Sequence, residues 1–163
     1  MVHFEHPSHP FLNRIVELYG DMLFDLCASV LWSTSNAQIA FRAVLRALKK
    51  ERKANPYVEF ERAWVLSVAC DVLKTHAHRH GRKLTSSERI LLDANLLVDE
   101  RLKQFDSYFH RLTTEDQLLL LMRDKFGIPY PEIATATGHP EGSLKIRRQQ
   151  ALRALEEWLW DSA

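Results

Sequence analysis

The sequence predicts an all-α protein of two small helical domains, and three observations favour that class. Apolar residues recur at spacings of three and four over most of the chain, which is the period of an amphipathic helix. The 163 residues include only five glycines, and no long stretch alternates between apolar and polar residues as a strand would. The polar run HGRKLTSS, at residues 80–87, interrupts the apolar rhythm. We therefore expect a first domain over residues 1–82, a linker with a helical segment over 83–109, and a second domain over 110–163.

The first domain is predicted to contain three helices. The first covers about 11–32 and the second about 36–53, and the segment STS at 33–35 offers N-caps between them. A break at 55–57 leads to a third helix over about 58–78. Helical spacing predicts that the inward side chains of the first two helices are Leu12, Ile15, Val16, Tyr19, Leu23, Leu26, Cys27, Val30, Leu31, Phe41, Val44, Leu45 and Leu48.

Cysteine usage and hydropathy indicate the cellular setting. Cys27 and Cys70 both lie within apolar helical patterns, and the chain contains no CxxC pair. We expect reduced core residues rather than a disulfide or a nucleophile. No segment reaches the ~18 uninterrupted apolar residues of a membrane span, and the first residues lack the pattern of a signal peptide. The expectation is a cytoplasmic protein that does not bind membranes.

The last third of the chain has the pattern of a helix-turn-helix. Thr113 and Asp116, at capping-box spacing, begin the preceding helix. A short helix covers 131–137, Gly138 suits the turn, and Pro140 opens a longer helix. On that longer helix Leu144, Ala151, Leu152 and Leu155 are predicted to face inward, and Ser143, Lys145, Arg147, Arg148, Gln149 and Arg153 outward.

Two interpretations of this second helix are open. Between Pro140 and Arg153 it carries four basic residues and one acidic residue, and helix N-termini and arginine side chains suit phosphates and guanines. The helix would then lie in the major groove of DNA. The alternative is a surface helix with a solvated basic face. The turn glycine Gly138 and the prolines Pro131 and Pro140 shift the balance toward the helix-turn-helix. Replacing Arg147 should weaken promoter binding by about 1 to 3 kcal/mol if it contacts a guanine.

Charge is unevenly distributed, although the formal net charge is only +1. Between Arg42 and Lys83 there are eleven Lys and Arg residues against four Asp and Glu. Residues 1–41 carry one basic residue against four acidic, and residues 84–133 carry six against nine. Two basic zones separated by acidic segments favour a polyanion bound at two places, with an affinity that falls as salt rises.

These residues resemble the extracytoplasmic-function sigma factors, the small two-domain promoter-specificity subunits of bacterial RNA polymerase. The resemblance covers roughly residues 16–155. The carboxyl-terminal stretch LTTEDQLLLLMRDKFGIPYPEIATATGHPEGSLKIRRQQALRAL is similar to the family's region 4 pattern "L-P-x-x-x-R…G-x-x-Y-x-E-I-A…G-x-P-x-G-T-V-K-S-R". The residues that match it are Gly127, Tyr130, Glu132, Ile133, Ala134, Gly138, Pro140, Gly142 and Lys145, whereas Ser143 and Leu144 replace the usual Thr and Val.

The amino-terminal domain resembles sigma region 2 through ELYGDMLFDLCASVLW and FERAWVLSVACDVLKTHAHRH. The resemblance implies that the third helix and the loop before it engage promoter DNA, and Tyr57 in that loop would stack on unpaired bases. The alternative for the neighbouring aromatics Phe60 and Trp64 is that they are core residues. The candidate phosphate contacts in this domain are Lys49, Lys50, Arg52, Lys53, Lys74 and Arg79.

The segment expected to dock on polymerase departs from the family pattern. SNAQIAFRAVLRAL stands where the family usually carries the acidic "D-A-E-D-L-V-Q-E-x-F". The resemblance implies polymerase contacts at Ile39, Phe41, Arg42, Leu45 and Arg46. The loss of acidic residues changes the electrostatic complementarity of the interface. Either the protein binds polymerase differently, or it keeps DNA binding and takes another partner; Phe41→Gln should strengthen docking if residue 41 faces the polymerase.

Other chemistry has weaker support. Histidines at 3, 6 and 9 and at 76, 78 and 80 have spacings that could ligate a metal, but no matching Cys or carboxylate cluster accompanies them. The alternatives are a terminal tail for the first set and a helix end for the second. No Gly-rich phosphate loop, HExxH or GxSxG occurs, so the chain is not expected to be an enzyme or to need a cofactor or metal.

The function predicted from these features is a sigma-like transcription initiation factor that binds RNA polymerase core and promoter double-stranded DNA. A DNA-binding regulator without polymerase-subunit activity is the first alternative. The second is a protein-interaction module whose amino-terminal domain captures another factor, such as an anti-sigma protein.

Overall fold

The computed structural model describes residues 9–56, 61–80 and 107–161, apart from the side chains of Arg79 and His80. These residues contain helices and turns but no strand, which confirms the all-α class. The helices are α1 (Pro10–Leu31), α2 (Thr34–Ala54), α3 (Glu61–His80), α4 (Thr114–Leu120), α5 (Tyr130–Thr137) and α6 (Glu141–Asp161), with a π-helical turn (Leu121–Lys125) directly after α4.

Helices α1, α2 and α3 pack together as a bundle, and local capping sets where α1 ends and α2 begins. Trp32 ends α1 in the left-handed backbone region, with φ of 58°. Ser33 caps α2, because its Oγ accepts a hydrogen bond from the Asn36 N–H at 3.2 Å. The inward faces predicted for α1 and α2 are confirmed, since their side chains lie in the core or pack against it.

Helix α3 lies at the centre of the described part of the protein. It packs against α1 and α2, and also against α4 and α5. A helix with neighbours on several sides must be apolar around most of its circumference. The buried residues of α3 accordingly are Ala63, Val65, Leu66, Val68, Ala69, Cys70 and Leu73. All of them except Ala63 belong to one continuous apolar core that extends from α1 to α6.

The two cysteines are part of this core. Cys27 and Cys70 are buried and carry free thiols, which confirms the expectation from sequence. Burial raises the pKa of both thiols to about 12, so both remain protonated at neutral pH. A protonated, buried thiol behaves as a small apolar side chain.

The carboxyl-terminal helices begin and end near the predicted residues. Thr113 caps α4, because its Oγ accepts from the Asp116 N–H at 3.2 Å. The π-helical turn closes with a hydrogen bond from the Phe126 N–H to the Leu121 carbonyl at 3.0 Å. Gly127 follows with φ of +65°, a conformation that glycine adopts without steric cost.

One prediction about the inward face of α6 is wrong. Leu144, Ala151 and Leu155 are buried, but Leu152 is 38% exposed because it lies at the edge of the apolar face.

The predicted linker lies almost entirely outside the described residues, so the division into two domains stays a prediction. No helix in the described ranges is both long and apolar enough to cross a membrane.

Candidate nucleic-acid interface

A tight turn joins α5 to α6 and fixes the direction of α6. Gly138 ends α5 with φ of +73°, and its N–H donates to the Ala134 carbonyl at 2.9 Å. Thr137 Oγ1 accepts from the His139 N–H at 3.3 Å, which satisfies a backbone group inside the turn. Helix α6 then begins with the Leu144 N–H bonded to the Pro140 carbonyl. This geometry is a helix-turn-helix, with α6 in the place of the DNA-reading helix.

Arg147 on α6 is bound by two carboxylates of the first turn of α4. Its Nη2 lies 2.9 Å from Asp116 Oδ1 and 3.1 Å from Glu115 Oε2, and its Nε donates to the same Asp116 oxygen. The side chains of Arg147 and Asp116 are only 27% and 24% exposed. Arg147 therefore joins α6 to α4 instead of extending into solvent.

Arg148 is bound in the same way on the other flank of α6. Its guanidinium makes a two-pronged pair with Asp124 of the π-helical turn, with Nη2 2.6 Å from Oδ1 and Nε 2.9 Å from Oδ2. The sequence analysis assigned Arg147 and Arg148 to the outward face. The structure corrects that assignment, because both lie on the flanks of the buried face and their charges are neutralised by neighbouring carboxylates.

The outward face of α6 carries the remaining predicted DNA contacts. Ser143, Gln149 and Arg153 are exposed and make no side-chain hydrogen bond or ion pair within the described ranges. Lys145 is exposed and its Nζ lies 5.5 Å from the centre of the Tyr130 ring. Sequence reasoning missed Ile146, which is 58% exposed on this face. The helical spacing from Gln149 was the signal that could have identified it.

Helix α2 carries the second group of cations. Lys49, Lys50 and Lys53 have no ion-pair partner in the part of the chain that the structure describes. Arg52 instead places its guanidinium 4.7 Å from the centre of the Phe11 ring. Lys74 on α3 is partly neutralised, since its Nζ lies 3.7 Å from carboxylate oxygens of both Asp71 and Glu115. Tyr57 and the Arg79 side chain lie outside the described residues.

The structure corrects part of the predicted polymerase contact. Phe41 and Leu45 are 1% and 7% exposed, so both belong to the core and neither side chain can contact a partner. Ile39 is 47% exposed, and Arg42 and Arg46 are exposed. Of the five predicted contacts, Ile39 and the two arginines therefore remain at the surface.

The alternative that Trp64 is a core residue agrees with the structure. Trp64 is partly buried against the core and lies 6.1 Å from Phe11, measured between ring centres. Its indole Nε1–H donates to Glu51 Oε2 at 3.0 Å, which satisfies the polar end of the ring. Phe60 lies outside the described residues.

An ion pair joins the helix-turn-helix to the amino-terminal bundle. Arg62 of α3 and Glu132 of α5 form a two-pronged pair, with Nη2 2.6 Å from Oε2 and a second bond from Nε to Oε1. The hydrogen bond from Arg62 lowers the pKa of Glu132 below its ordinary value of 4.5. The carboxylate form of Glu132 is therefore favoured in the folded protein.

We expect Glu132→Gln to destabilise the protein at pH 7 but not in acid. The lowered pKa means that ionised Glu132 stabilises the fold above its unfolded pKa, and that this contribution is lost as pH falls through the folded pKa. The cost at pH 7 should be about 1 kcal/mol, because Arg62 is 44% exposed and solvent screens the pair. Urea unfolding from pH 7 down to pH 3 would measure the difference. Glu156→Gln, at an exposed site on α6, is the control, and a cost for Glu132→Gln that does not change with pH would contradict the prediction.

The predicted histidine sets are only partly described. His3, His6 and the His80 side chain lie outside the described residues. Within the described ranges, no three His, Cys, Asp or Glu side chains are grouped closely enough to hold a metal ion.

Comparison with known proteins identifies the carboxyl-terminal part of the chain. Residues 102–155 match the family model described as Sigma-70, region 4. The match spans α4, the π-helical turn, α5 and α6 as far as Leu155. No curated protein matches the chain. Residues 102–155 are therefore similar to sigma-70 region 4, and this match, together with the helix-turn-helix geometry of α5 and α6, confirms the predicted motif.

Proposed function

We propose that the protein is a sigma-like transcription initiation factor of the extracytoplasmic-function group. It binds the RNA polymerase core, places α6 in the major groove of upstream promoter DNA, and directs promoter-specific initiation. Because promoter DNA is its target, the protein would act in the cytoplasm. The region 4 match carries this proposal, since it falls on a helix-turn-helix whose second helix leaves polar and cationic side chains available to DNA.

The distribution of neutralised and unneutralised charge supports DNA contact by α6. Arg147 and Arg148 are bound by carboxylates, and their contact with DNA would require them to leave those partners. Lys145 and Arg153 have no ion-pair partner within the described ranges and lie on the exposed face. Neither cation has to break an ion pair of the described residues to contact a phosphate, and each phosphate contact releases counterions from the DNA. We therefore propose Ser143, Lys145, Gln149 and Arg153 as the principal contacts.

The amino-terminal bundle is proposed to make a second contact with promoter DNA and to dock on polymerase. Lys49, Lys50 and Lys53 on α2 supply phosphate contacts, and Tyr57 a stacking contact with an unpaired base. Ile39 and Arg46 supply exposed apolar and cationic groups for the polymerase. Two separated contacts with the promoter would fix both the position and the orientation of the bound polymerase.

In vitro transcription with bacterial RNA polymerase core and a promoter library tests this function. We expect transcripts from a distinct subset of promoters when the protein is present and none of them with core alone. The double variant Lys145→Ala with Arg153→Ala should lose this selection, because it removes two unpaired cations of α6. Arg14→Ala, which removes a cation already paired with Glu61, is the control and should retain it. Failure of the protein to bind core would refute the polymerase-subunit role.

The second candidate function is a DNA-binding regulator that does not bind polymerase. One observation favours it: residues 36–48, which replace the acidic docking pattern, contain no Asp or Glu. Two of the five proposed contacts in that segment, Phe41 and Leu45, are also buried. Sequence-specific DNA binding without association with core would establish this candidate. Capture of an anti-sigma protein by the amino-terminal bundle, without DNA affinity, would instead support an interaction module.

A further inference from the structure

The solvent-facing side of α6 forms a narrow stripe that consists of Gly142, Ile146, Gln149 and Arg153. These residues follow one another at spacings of four, three and four, so they lie on one line along the helix. The line is opposite to the buried side chains of α6. The second helix of a helix-turn-helix lies in the major groove, and its N-terminal residues contact base edges. This outward stripe is therefore the surface that would meet base edges.

An isoleucine lies in the middle of this stripe. Ile146 is 58% exposed and has polar neighbours on the outward side, Ser143 one turn before it and Gln149 and Gln150 one turn after it. Burial of Ile146 in the core cannot explain an apolar residue here, because the core side of the helix is formed by other residues. An exposed isoleucine gains free energy only when a ligand covers it.

The base that suits this stripe is thymine rather than guanine. In the major groove thymine presents a C5-methyl group, which apolar side chains contact, and adenine presents the N6 and N7 pattern that glutamine reads. Guanine is read by arginine or lysine. The two arginines nearest to Ile146 are paired with carboxylates, and Lys145 lies beside the stripe with its Nζ 5.5 Å from the centre of the Tyr130 ring. The stripe and the neighbouring Gln150 therefore combine an apolar contact for thymine with amides for adenine.

On the basis of the proposed function, we infer that Ile146 is a specificity residue that packs on the C5-methyl group of a thymine in the major groove. Gln149 and Gln150 read adenine beside it, so the DNA class recognised by α6 is an A·T-containing element. Arg153, one turn further on, contacts the phosphate backbone and fixes the register. The sequence preference thus comes from methyl and amide contacts, whereas the cations supply affinity.

Gly142 supports this geometry independently. A Cβ atom placed on Gly142 would have no neighbour within 4 Å, and its φ is not in the left-handed region. Neither internal packing nor backbone conformation therefore requires glycine at this position. A glycine near a helix start reduces helix stability relative to alanine, but it lets another molecule approach the backbone closely. Because Gly142 has no side chain, the duplex could approach the backbone of α6 closely at this position, one turn before Ile146.

The test uses duplex DNA in which thymine is replaced by deoxyuridine, a change that removes only the C5-methyl group. A pool of duplexes randomised over about two helical turns is first selected on the full chain, alone and with RNA polymerase core. Each thymine of the selected sequence is then replaced singly by deoxyuridine. We expect one replacement to weaken binding by the wild-type protein about fourfold, which corresponds to ~0.8 kcal/mol for one buried methyl group. The Ile146→Ala variant should bind the duplex that contains this thymine and the duplex that contains deoxyuridine in its place with equal affinity.

Three further variants separate this inference from a general loss of binding. Ile146→Val should retain part of the discrimination, and Leu18→Ala, at an exposed apolar site on α1, should retain all of it. Gly142→Ala should lose affinity for both duplexes without loss of fold stability. Sequence-specific binding with no sensitive thymine, or with a sensitivity that Ile146→Ala keeps, would overturn the inference and leave the proposed function in place. Absence of any sequence-specific binding would overturn both.

Discussion

Replacing Phe41 with glutamine is expected to lower the free energy of unfolding by about 3 to 5 kcal/mol, the range for truncation of a buried phenylalanine. Phe41 is 1% exposed, and its ring meets Phe24 edge-on with 5.9 Å between ring centres. The substitution removes this contact and also buries an amide that has lost its water. Urea or thermal unfolding followed by far-UV circular dichroism measures the change. A loss of this size is a large fraction of the stability of a small protein.

Ile39→Gln is the matched control for this change. Ile39 lies two residues before Phe41 on the same helix, but its side chain is 47% exposed. We expect its effect on stability to remain within about 0.5 kcal/mol. The control also tests docking, because residue 39 can reach a partner and residue 41 cannot. A folded Phe41→Gln protein with increased affinity for polymerase core would show that residue 41 faces the partner.

Replacing Arg147 with alanine is expected to cost about 2 kcal/mol of stability, the scale for charge-assisted hydrogen bonds that are partly shielded from solvent. The substitution leaves Asp116 and Glu115 close together without their shared cation. These two carboxylates lie in the first turn of α4, so the junction between α4 and α6 should loosen. Lysine should restore only part of the loss, because it lacks the planar fork that reaches both acids. Urea unfolding of the three proteins gives the comparison.

Arg153→Ala is the matched control for Arg147→Ala. Arg153 lies on the same helix but is exposed and without an ion-pair partner in the described part of the chain. Its loss should leave stability within about 0.5 kcal/mol of wild type and reduce DNA affinity in a salt-dependent manner. The two variants thus distinguish a residue that contributes to the stability of the fold from one that contributes to DNA affinity. If Arg147→Ala leaves stability unchanged but relaxes the sequence preference, Arg147 contacts a guanine as the sequence first suggested.

The helices were predictable because their signals are local. Apolar residues at helical spacing predicted a first helix over 11–32, and α1 covers Pro10–Leu31. The hydroxyl residues at 33–35 predicted a cap before the second helix, which Ser33 supplies, and Thr113 was predicted to cap the helix that it precedes. Gly138 predicted the turn because a left-handed residue is needed there. Each of these signals needs only a few neighbouring residues, so one sequence was sufficient.

The partners of charged side chains were not predictable in the same way. Arg147 meets carboxylates 31 and 32 residues away in the chain, and Arg62 meets Glu132 across 70 residues. Helical spacing gives the approximate direction of a side chain but not which acid lies opposite when two helices pack. The same uncertainty applies at the edges of an apolar face, where Leu152 was assigned inward and is partly exposed. The helix-turn-helix was therefore predictable, but which of its arginines pair with carboxylates was not.

The central position of α3 sets a condition on any large rearrangement of the protein. The helix shields its apolar side chains with α1 and α2 on one part of its surface and with α4 and α5 on another. Separation of the carboxyl-terminal helices from α3 would therefore expose the apolar side chains of α3 to water, at a cost of about 25 cal/mol for each Å² of apolar surface exposed. A molecule that covers the exposed apolar surface of α3 would offset this cost. Separation of the carboxyl-terminal helices from α3 and binding of a protein partner to α3 would then be coupled, because each would lower the free-energy cost of the other.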